Sequence, residues 1–237
     1  MNVLQYLKRT STDILHLIYP ETCLVCQSEL SSFEKHLCTL CKNELHHTDF
    51  ENYKEDSPLD KLFWGRIPVN TLFALLYYKK NDQSQAILHH LKYYNRPDLA
   101  QYMGELIGER IKEMSAFSTV DFLVPIPLHE KKKHIRGYNQ SEEIAKGIAT
   151  LTNKPINTTF LTRQTHTESQ TRKGKFERWT NVQEAFCLNE ELPEHIKHIA
   201  LVDDVITTGS TLETAVKLIK DKYPIEISII SIAYAGG

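Results

Sequence analysis

The chain has 237 residues, of which 41% are hydrophobic and 24% charged, and its 28 basic and 30 acidic residues give a formal net charge of −2. This balance excludes a disordered tail protein, a collagen-like fibre and a strongly basic chromatin-type binder. The length suffices for one medium-sized domain and a smaller module.

The first 19 residues carry apolar side chains at roughly helical spacing, which predicts a short amphipathic helix packed on the body of the protein. They lack the sustained apolar block of a signal peptide. The longest apolar run, the seven residues 72–78, falls well short of the roughly 20 that a membrane span needs. We therefore expect a cytoplasmic protein without a membrane span.

Residues 20–45 contain four of the five cysteines. Two Cys-x2-Cys pairs, Cys23 with Cys26 and Cys38 with Cys41, are separated by eleven residues. Two such turns can place four thiolates around one ion, and tetrahedral all-thiolate sites without redox duty are typical of structural Zn²⁺. A redox or iron–sulfur site is the alternative. A module this small needs the metal for its folding, and His36 is a spare ligand that four thiolates make unnecessary.

Residues 46–70 are polar and predict a linker, and residues 71–237 predict a domain in which strands and helices alternate. We expect strands at 72–78, 120–127, 159–163, 183–188, 198–202 and 225–234, and helices at 83–93, 98–114, 140–150 and 210–223. This order favours an α/β fold with a parallel sheet flanked by helices. Ligands of such sheets bind at the carboxyl ends of the strands.

The segment after the strand at 198–202 has the composition of a phosphate-binding loop. Gly209 permits close backbone approach, and the following helix offers free N–H groups. The hydroxyl groups come from Thr207, Thr208, Ser210 and Thr211. Two carboxylates, Asp203 and Asp204, precede this loop. Carboxylates repel phosphate, but both groups suit a sugar phosphate as the ligand. The loop can bind the phosphate, while the carboxylates accept hydrogen bonds from ribose hydroxyls or help to hold a divalent ion.

The stretch 202–211 (VDDVITTGST), which includes Val205, resembles the phosphoribosyl-pyrophosphate (PRPP) motif of type I phosphoribosyltransferases. Three further features make the chain resemble the ComF family across residues 15–235. They are the four-cysteine module, the segments 124–128 (VPIPL) and 136–140 (RGYNQ), and the downstream residues Arg163, Thr167, Gln170, Arg178, Asn181, Ala185 and Phe186. The resemblance implies a type I phosphoribosyltransferase-like domain behind a small zinc module.

The resemblance also implies roles for basic residues outside the motif. It puts Arg136, Gly137 and Tyr138 near the pyrophosphate of PRPP, where an arginine fork can bind two phosphate oxygens. It makes the segment around Arg163, Gln170 and Arg178 a flexible loop over the ligand, which would exclude water. Lys92 is within reach of a phosphate, and the neighbouring tyrosines, Tyr93 and Tyr94, could stack on a base. Packing and solvent exposure are the alternative for these tyrosines.

The function that the resemblance implies is a role in natural competence, the uptake and processing of transforming DNA, with a site for PRPP or another sugar phosphate. Asp203 and Asp204 would be the catalytic pair, Mg²⁺ would accompany PRPP, and an active enzyme would transfer a pentosyl group. Whether turnover occurs stays open, since the sequence offers no evident base. The alternatives are a single-stranded DNA-binding protein and a PRPP sensor without turnover, either with DNA-uptake or DNA-processing proteins as partners.

Overall fold

The computed structural model describes residues 20–53, 56–163 and 186–236. The helix predicted over residues 1–19 lies outside this part of the chain. Among the described residues, no helix is long and apolar enough to cross a membrane.

The centre of the fold is a four-stranded parallel sheet with the strand order β1-β6-β5-β2. Its strands are β1 (Leu72–Tyr77), β2 (Phe122–Pro125), β5 (His198–Ile206) and β6 (Glu226–Tyr234). Nearly every residue of these strands is at least largely buried, as expected of a parallel sheet covered on both faces. The predicted α/β fold class is confirmed.

Helices cover both faces of the sheet. The helices on one face are α3 (Gln83–Tyr93), α4 (Pro97–Ile111) and α7 (Gln140–Thr152), which share one apolar core with the cysteine module. The helices on the other face are α2 (Pro58–Phe63) and α8 (Ser210–Lys222). Short helices complete the set, α1 (Thr39–Asn43), a 3-10 turn (Phe50–Asn52), α5 (Ser115–Ser118) and α6 (Glu130–Arg136).

The segment 46–70 differs from the irregular linker that its polar composition predicts. It contains α2, which begins with a Ser57–Asp60 capping box and with Pro58 at its first turn. Leu59 and Phe63 of this helix are 0% and 1% exposed and belong to the core on the α8 face. The residues that read as a linker therefore form part of the packed domain.

Two other segments depart from the predicted pattern. The short strands β3 (Leu161–Arg163) and β4 (Phe186–Leu188) form a separate antiparallel pair rather than joining the parallel sheet. The basic segment after β2, for which no helix is predicted, is the helix α6, which His129 caps and Gly137 ends at a φ of +80°. A seven-residue helix with its lysines in solvent carries no apolar periodicity that the sequence could reveal.

Candidate functional site

A pair of carboxylates lies near the carboxyl end of β5. Asp203 Oδ1 accepts hydrogen bonds from Asp204 N at 2.9 Å and from the Ser141 hydroxyl of α7 at 3.3 Å. Asp204 Oδ2 lies 3.4 Å from Lys92 Nζ of α3, and both of these side chains are mostly buried. The pair is thus held by two helices from the same face of the sheet.

The electrostatics of the pair favour one proton on Asp203. Burial, and then repulsion from the Asp204 carboxylate, raise the pKa of Asp203 from 3.8 to about 7. Two carboxylates this close in a partly dry site resist simultaneous ionisation. Near neutral pH Asp203 can therefore take up or release a proton, a property that its sequence context does not reveal.

The predicted strand ends at residue 202, which would place the two aspartates after it. In the structure both aspartates belong to the strand β5. The ladder between β5 and β6 continues past them to Ile206, opposite Tyr234. Hydrogen bonding to β6 extends β5 over two charged residues, whose side chains disfavour a strand. The correction places the carboxylates on a rigid element rather than on a loop.

The predicted phosphate-binding loop follows β5 directly. Thr207 and Thr208 are exposed, and Gly209 is the N-cap of α8 with a φ of +73°. The Thr208 and Ser210 hydroxyls lie 3.2 Å apart, and Ser210 N donates to Thr208 Oγ1 at 3.4 Å. Thr211 lies in the first turn of α8, whose leading N–H groups have no partner within the helix. The loop thus joins free N–H groups, hydroxyls and a helix N-terminus at one place.

A cavity of about 360 Å³ connects this loop with α3. Its lining includes Thr207 and Val205 after the carboxylates, and Lys92 and Tyr93 on the helix. Lys92 therefore lies beside both the carboxylate pair and the loop. Tyr93 and Tyr94 are 70% and 58% exposed.

The residues predicted to bind pyrophosphate lie at the junction of α6 and α7. Arg136 Nη1 donates to Gln140 Oε1 at 2.9 Å, and Gln140 is the first residue of α7, next to Ser141. The start of α7 therefore links Arg136 to Asp203 through two consecutive side chains. The Tyr138 side chain is buried instead, and its hydroxyl donates to the Leu91 carbonyl at 2.7 Å. Burial raises the pKa of Tyr138 to about 12.

Arg163 ends β3, and its guanidinium lies 5.4 Å from the centre of the Phe186 ring of β4. The described contacts place it on the antiparallel pair and not beside the carboxylates. Gln170 and Arg178 lie outside the described residues, so their predicted role in a loop over the ligand stays a prediction.

The four clustered cysteines converge. The sulfur atoms of Cys23, Cys26, Cys38 and Cys41 all lie within 4.8 Å of one another. A tetrahedral zinc with bonds of about 2.3 Å separates its sulfur ligands by about 3.8 Å, so this donor set fits the ion. The cluster is consistent with zinc, and its four sulfur atoms complete a tetrahedral ligand set without His36. The Nδ1 atom of His36 instead lies 2.9 Å from Arg96 Nη2.

The cysteine module is packed on the domain. Cys23, Cys38 and Cys41 are buried, and they share the core of α3 and α4 with Leu24, Leu30, Leu37 and Leu45. Only Cys26 is exposed, and hydrogen bonds from Ser28 lower the pKa of its thiol to about 6. A metal at this position would therefore hold part of the domain core as well as the module itself.

Sequence reasoning missed three residues that hold the site together. They are Ser141, which bonds Asp203, Gln140, which bonds Arg136, and Arg66, which donates to the Thr208 carbonyl at 2.9 Å. Thr208 and Glu213, two partners of Arg66, lie more than 140 positions away along the chain, and no local pattern signals such a contact.

Comparison with known proteins finds matches over the domain and over the whole chain. Residues 140–237 match the family described as the phosphoribosyl transferase domain, a range that contains the carboxylate pair and the loop. Competence protein F of Haemophilus influenzae is 24% identical over 93% of both chains. Competence protein ComFC of Bacillus subtilis is 27% identical and covers 88% of this chain and 82% of its own.

Over most of its length the chain is similar to proteins of the ComF family. Another similar protein, the DNA utilization protein YhgH of Escherichia coli, is 26% identical over 83% of both chains. The predicted family, with its phosphoribosyltransferase domain and its cysteine cluster near the N-terminus, is confirmed. Among solved structures, the match to the adenine phosphoribosyltransferase of Leishmania tarentolae covers 75% of this chain and 88% of that one, at 13% identity and a TM-score of 0.35. A score this low supports no argument about the site.

Proposed function

We propose that this protein binds PRPP, or a closely related sugar phosphate, at the carboxyl edge of its sheet. The observation that carries the proposal is the placement of the Asp203–Asp204 pair directly before the loop of residues 207–211, with Lys92 beside both. The carboxylates can bind the ribose hydroxyls and the N–H groups can bind the 5-phosphate. The two sets of groups are therefore adjacent in the protein, as the ribose and its phosphate are in the ligand.

Each part of PRPP has a matching group. The N–H groups and hydroxyls of residues 207–211 would bind the 5-phosphate, and Asp203 and Asp204 would bind the ribose and help to hold Mg²⁺. Arg136 and the backbone at Gly137 and Tyr138 would receive the pyrophosphate. Mg²⁺, when bound, would neutralise charge on the pyrophosphate leaving group. Catalysis would come from positioning and from charge stabilisation.

Titration with PRPP and Mg²⁺ tests the site. Wild type should bind, and the Asp203→Asn/Asp204→Asn protein should bind at least tenfold more weakly, since about 1.4 kcal/mol of lost hydrogen bonding is already tenfold. Asp221→Asn removes a comparable charge from an exposed position at the end of α8 and should bind like wild type. Equal affinity of all three proteins would refute the site.

The process that we propose for the protein is the uptake and processing of DNA in natural competence. The support is that two relatives, each matched over more than 80% of its length, are named competence proteins and a third is named a DNA utilization protein. We also propose a structural Zn²⁺ at the four cysteines and a cytoplasmic location. Loss of transformation in a strain carrying the Asp203→Asn/Asp204→Asn protein, at unchanged protein level, is the expected result. If this strain transforms as efficiently as wild type, the proposed site is not needed for DNA uptake.

A second candidate function is binding of single-stranded DNA, which the exposed Tyr93 and Tyr94 favour. The Tyr94 ring stacks on His90 at 4.5 Å between ring centres and is 58% exposed, and Lys92 directly precedes the two tyrosines in sequence. Such rings bind bases with little sequence preference, at about 1–3 kcal/mol for each base. Tyr93→Ala/Tyr94→Ala should weaken binding of an oligonucleotide at low salt. Tyr53→Ala, which removes a 49% exposed tyrosine elsewhere, should not.

Release of pyrophosphate distinguishes an enzyme from a sensor. A transferase incubated with PRPP, Mg²⁺ and an acceptor releases pyrophosphate at a rate that depends on the acceptor. A protein that only senses PRPP binds it with the same dependence on Asp203 and Asp204 and releases none.

A further inference from the structure

Arg66 lies in the turn between α2 and β1, and its guanidinium reaches across to the phosphate loop and to α8. Nη1 donates to the Thr208 carbonyl at 2.9 Å and to the Leu62 carbonyl at 3.1 Å. Nε and Nη2 donate to Glu213 Oε2 at 3.1 Å and 2.5 Å. One planar group therefore joins three elements of the fold, and a guanidinium has the fork geometry for it.

The contact with Thr208 fixes the orientation of one peptide group. The C=O and N–H of a trans peptide point in opposite directions. Because the Thr208 carbonyl faces Arg66, the N–H of Gly209 faces away from Arg66. This N–H belongs to the residue that caps α8, so its direction decides whether the loop offers it to a ligand.

The same loop is supported from behind by Phe63. The side chain of Phe63 is 1% exposed, and its Cε1 lies 2.5 Å from the position that a Cβ on Gly209 would occupy. The Arg66 guanidinium lies 5.7 Å from the centre of the same ring. The end of α2 and the turn after it thus form a backing for the loop.

Arg66 is poorly placed to serve as a phosphate ligand. Its positive charge is already paired with Glu213, whose pKa is lowered by Lys217 and by Arg66 itself, so this carboxylate stays ionised at neutral pH. Every donor named above is engaged with protein oxygens. The arrangement gives the side chain a task in the geometry of the loop rather than in direct charge neutralisation.

We propose that Arg66 is a positioning residue for the phosphate-binding loop, which it holds with the Gly209 N–H turned toward the phosphate. This inference rests on the proposed PRPP site for its ligand. The orientation of the loop is a property of the ligand-free protein and can be measured separately.

Three variants test the proposal. Arg66→Gln removes the guanidinium, and Arg66→Lys keeps the positive charge on a single amino group. Lys217→Gln is the matched control. Lys217 Nζ bonds the other oxygen of Glu213 at 2.6 Å, and no contact of it with the loop is found among the described residues. Hydrogen exchange of the Gly209 and Ser210 amides in the ligand-free proteins reports the loop. Titration with PRPP and Mg²⁺ reports the site.

Arg66→Gln should speed exchange at these two amides while amides of β1 stay protected, and it should weaken PRPP binding by about tenfold, the expected worth of one charge-assisted hydrogen bond. Arg66→Lys should recover part of the affinity, and Lys217→Gln should match wild type. Unchanged exchange and affinity in Arg66→Gln would overturn the inference. If wild type fails to bind PRPP, the proposed function fails and exchange alone decides the role of Arg66. Should Arg66→Gln not fold, Glu213→Gln, which weakens the same anchor, is measured in its place.

Discussion

Replacing Asp203 by asparagine should stabilise the folded protein while it removes the proposed ligand site. The folded state holds the proton of Asp203 more tightly than the unfolded chain does, because the pKa is raised from 3.8 to about 7. Between these values the folded state binds more protons than the unfolded state. The free energy of unfolding therefore falls as the pH rises through this window, and the cost is complete above pH 7.

The size of this cost follows from the two pKa values. At about 1.36 kcal/mol for each pH unit, the rise from 3.8 to about 7 corresponds to about 4 kcal/mol at pH 8 and to about 2 kcal/mol at pH 5. Asparagine keeps an oxygen that accepts from Ser141 and from Asp204 N, as Asp203 Oδ1 does. Asp203→Asn should thus unfold at higher urea concentration than wild type, with a gain that about doubles from pH 5 to pH 8.

The assay is urea unfolding of both proteins at pH 5 and pH 8, read as the difference between them. Asp121→Asn is the control of opposite sign. Backbone hydrogen bonds from His198 and Lys197 lower the pKa of Asp121, so its stabilising contribution is complete above pH 4 and is lost only below it. That variant should be destabilised at both pH 5 and pH 8. The reasoning is refuted if Asp203→Asn is no more stable than wild type at pH 8, or if its advantage is independent of pH.

Three further predictions concern the metal, the loop and the helix packing. Protein purified without added metal should contain one equivalent of zinc, and Cys26→Ser or a strong chelator should lower its melting temperature, because the cysteines share the domain core; less than half an equivalent of zinc would contradict this. Gly209→Ala should cost about 2–4 kcal/mol of unfolding free energy, from overpacking against Phe63 and a φ of +73°, whereas Gly65→Ala, at a φ of +67° in open space, should cost only about 1 kcal/mol. Gly147→Ala should be destabilised by at least about 3 kcal/mol, since a Cβ there meets the backbone of α4. Equal urea midpoints for the two loop variants, or a wild-type midpoint for Gly147→Ala, would contradict these packing arguments.

The sequence predicted the elements whose signals are local. The apolar strands, the amphipathic helices at 83–93 and 210–223, the fold class and the cysteine cluster were all readable from periodicity and spacing. The charged end of β5 could not be predicted in this way, because pairing with β6 extends the strand through Asp203 and Asp204, two residues that disfavour strands. Burial is the largest cause of the raised pKa of Asp203, and it arises only when the chain folds and distant helices pack beside the pair.

The segment 46–70 shows the same limit for packing. Its polar composition hides Leu59 and Phe63, which bury one face of a single short helix. Two apolar residues in a helix this short are too few for a periodic signal. The importance of Phe63 comes from its position against Gly209, and that of Arg66 from its contact with the Thr208 carbonyl. The proposed phosphate-binding loop was recognisable from its own residues, whereas the residues that support it were recognisable only in the fold.

The most direct test of the central claim is a crystal structure of the protein grown with PRPP and Mg²⁺. We predict the 5-phosphate within hydrogen-bonding distance of the N–H groups of Gly209, Ser210 and Thr211, with the ribose hydroxyls on Asp203 and Asp204. PRPP bound at another place, or an empty loop at saturating PRPP, would contradict the claim.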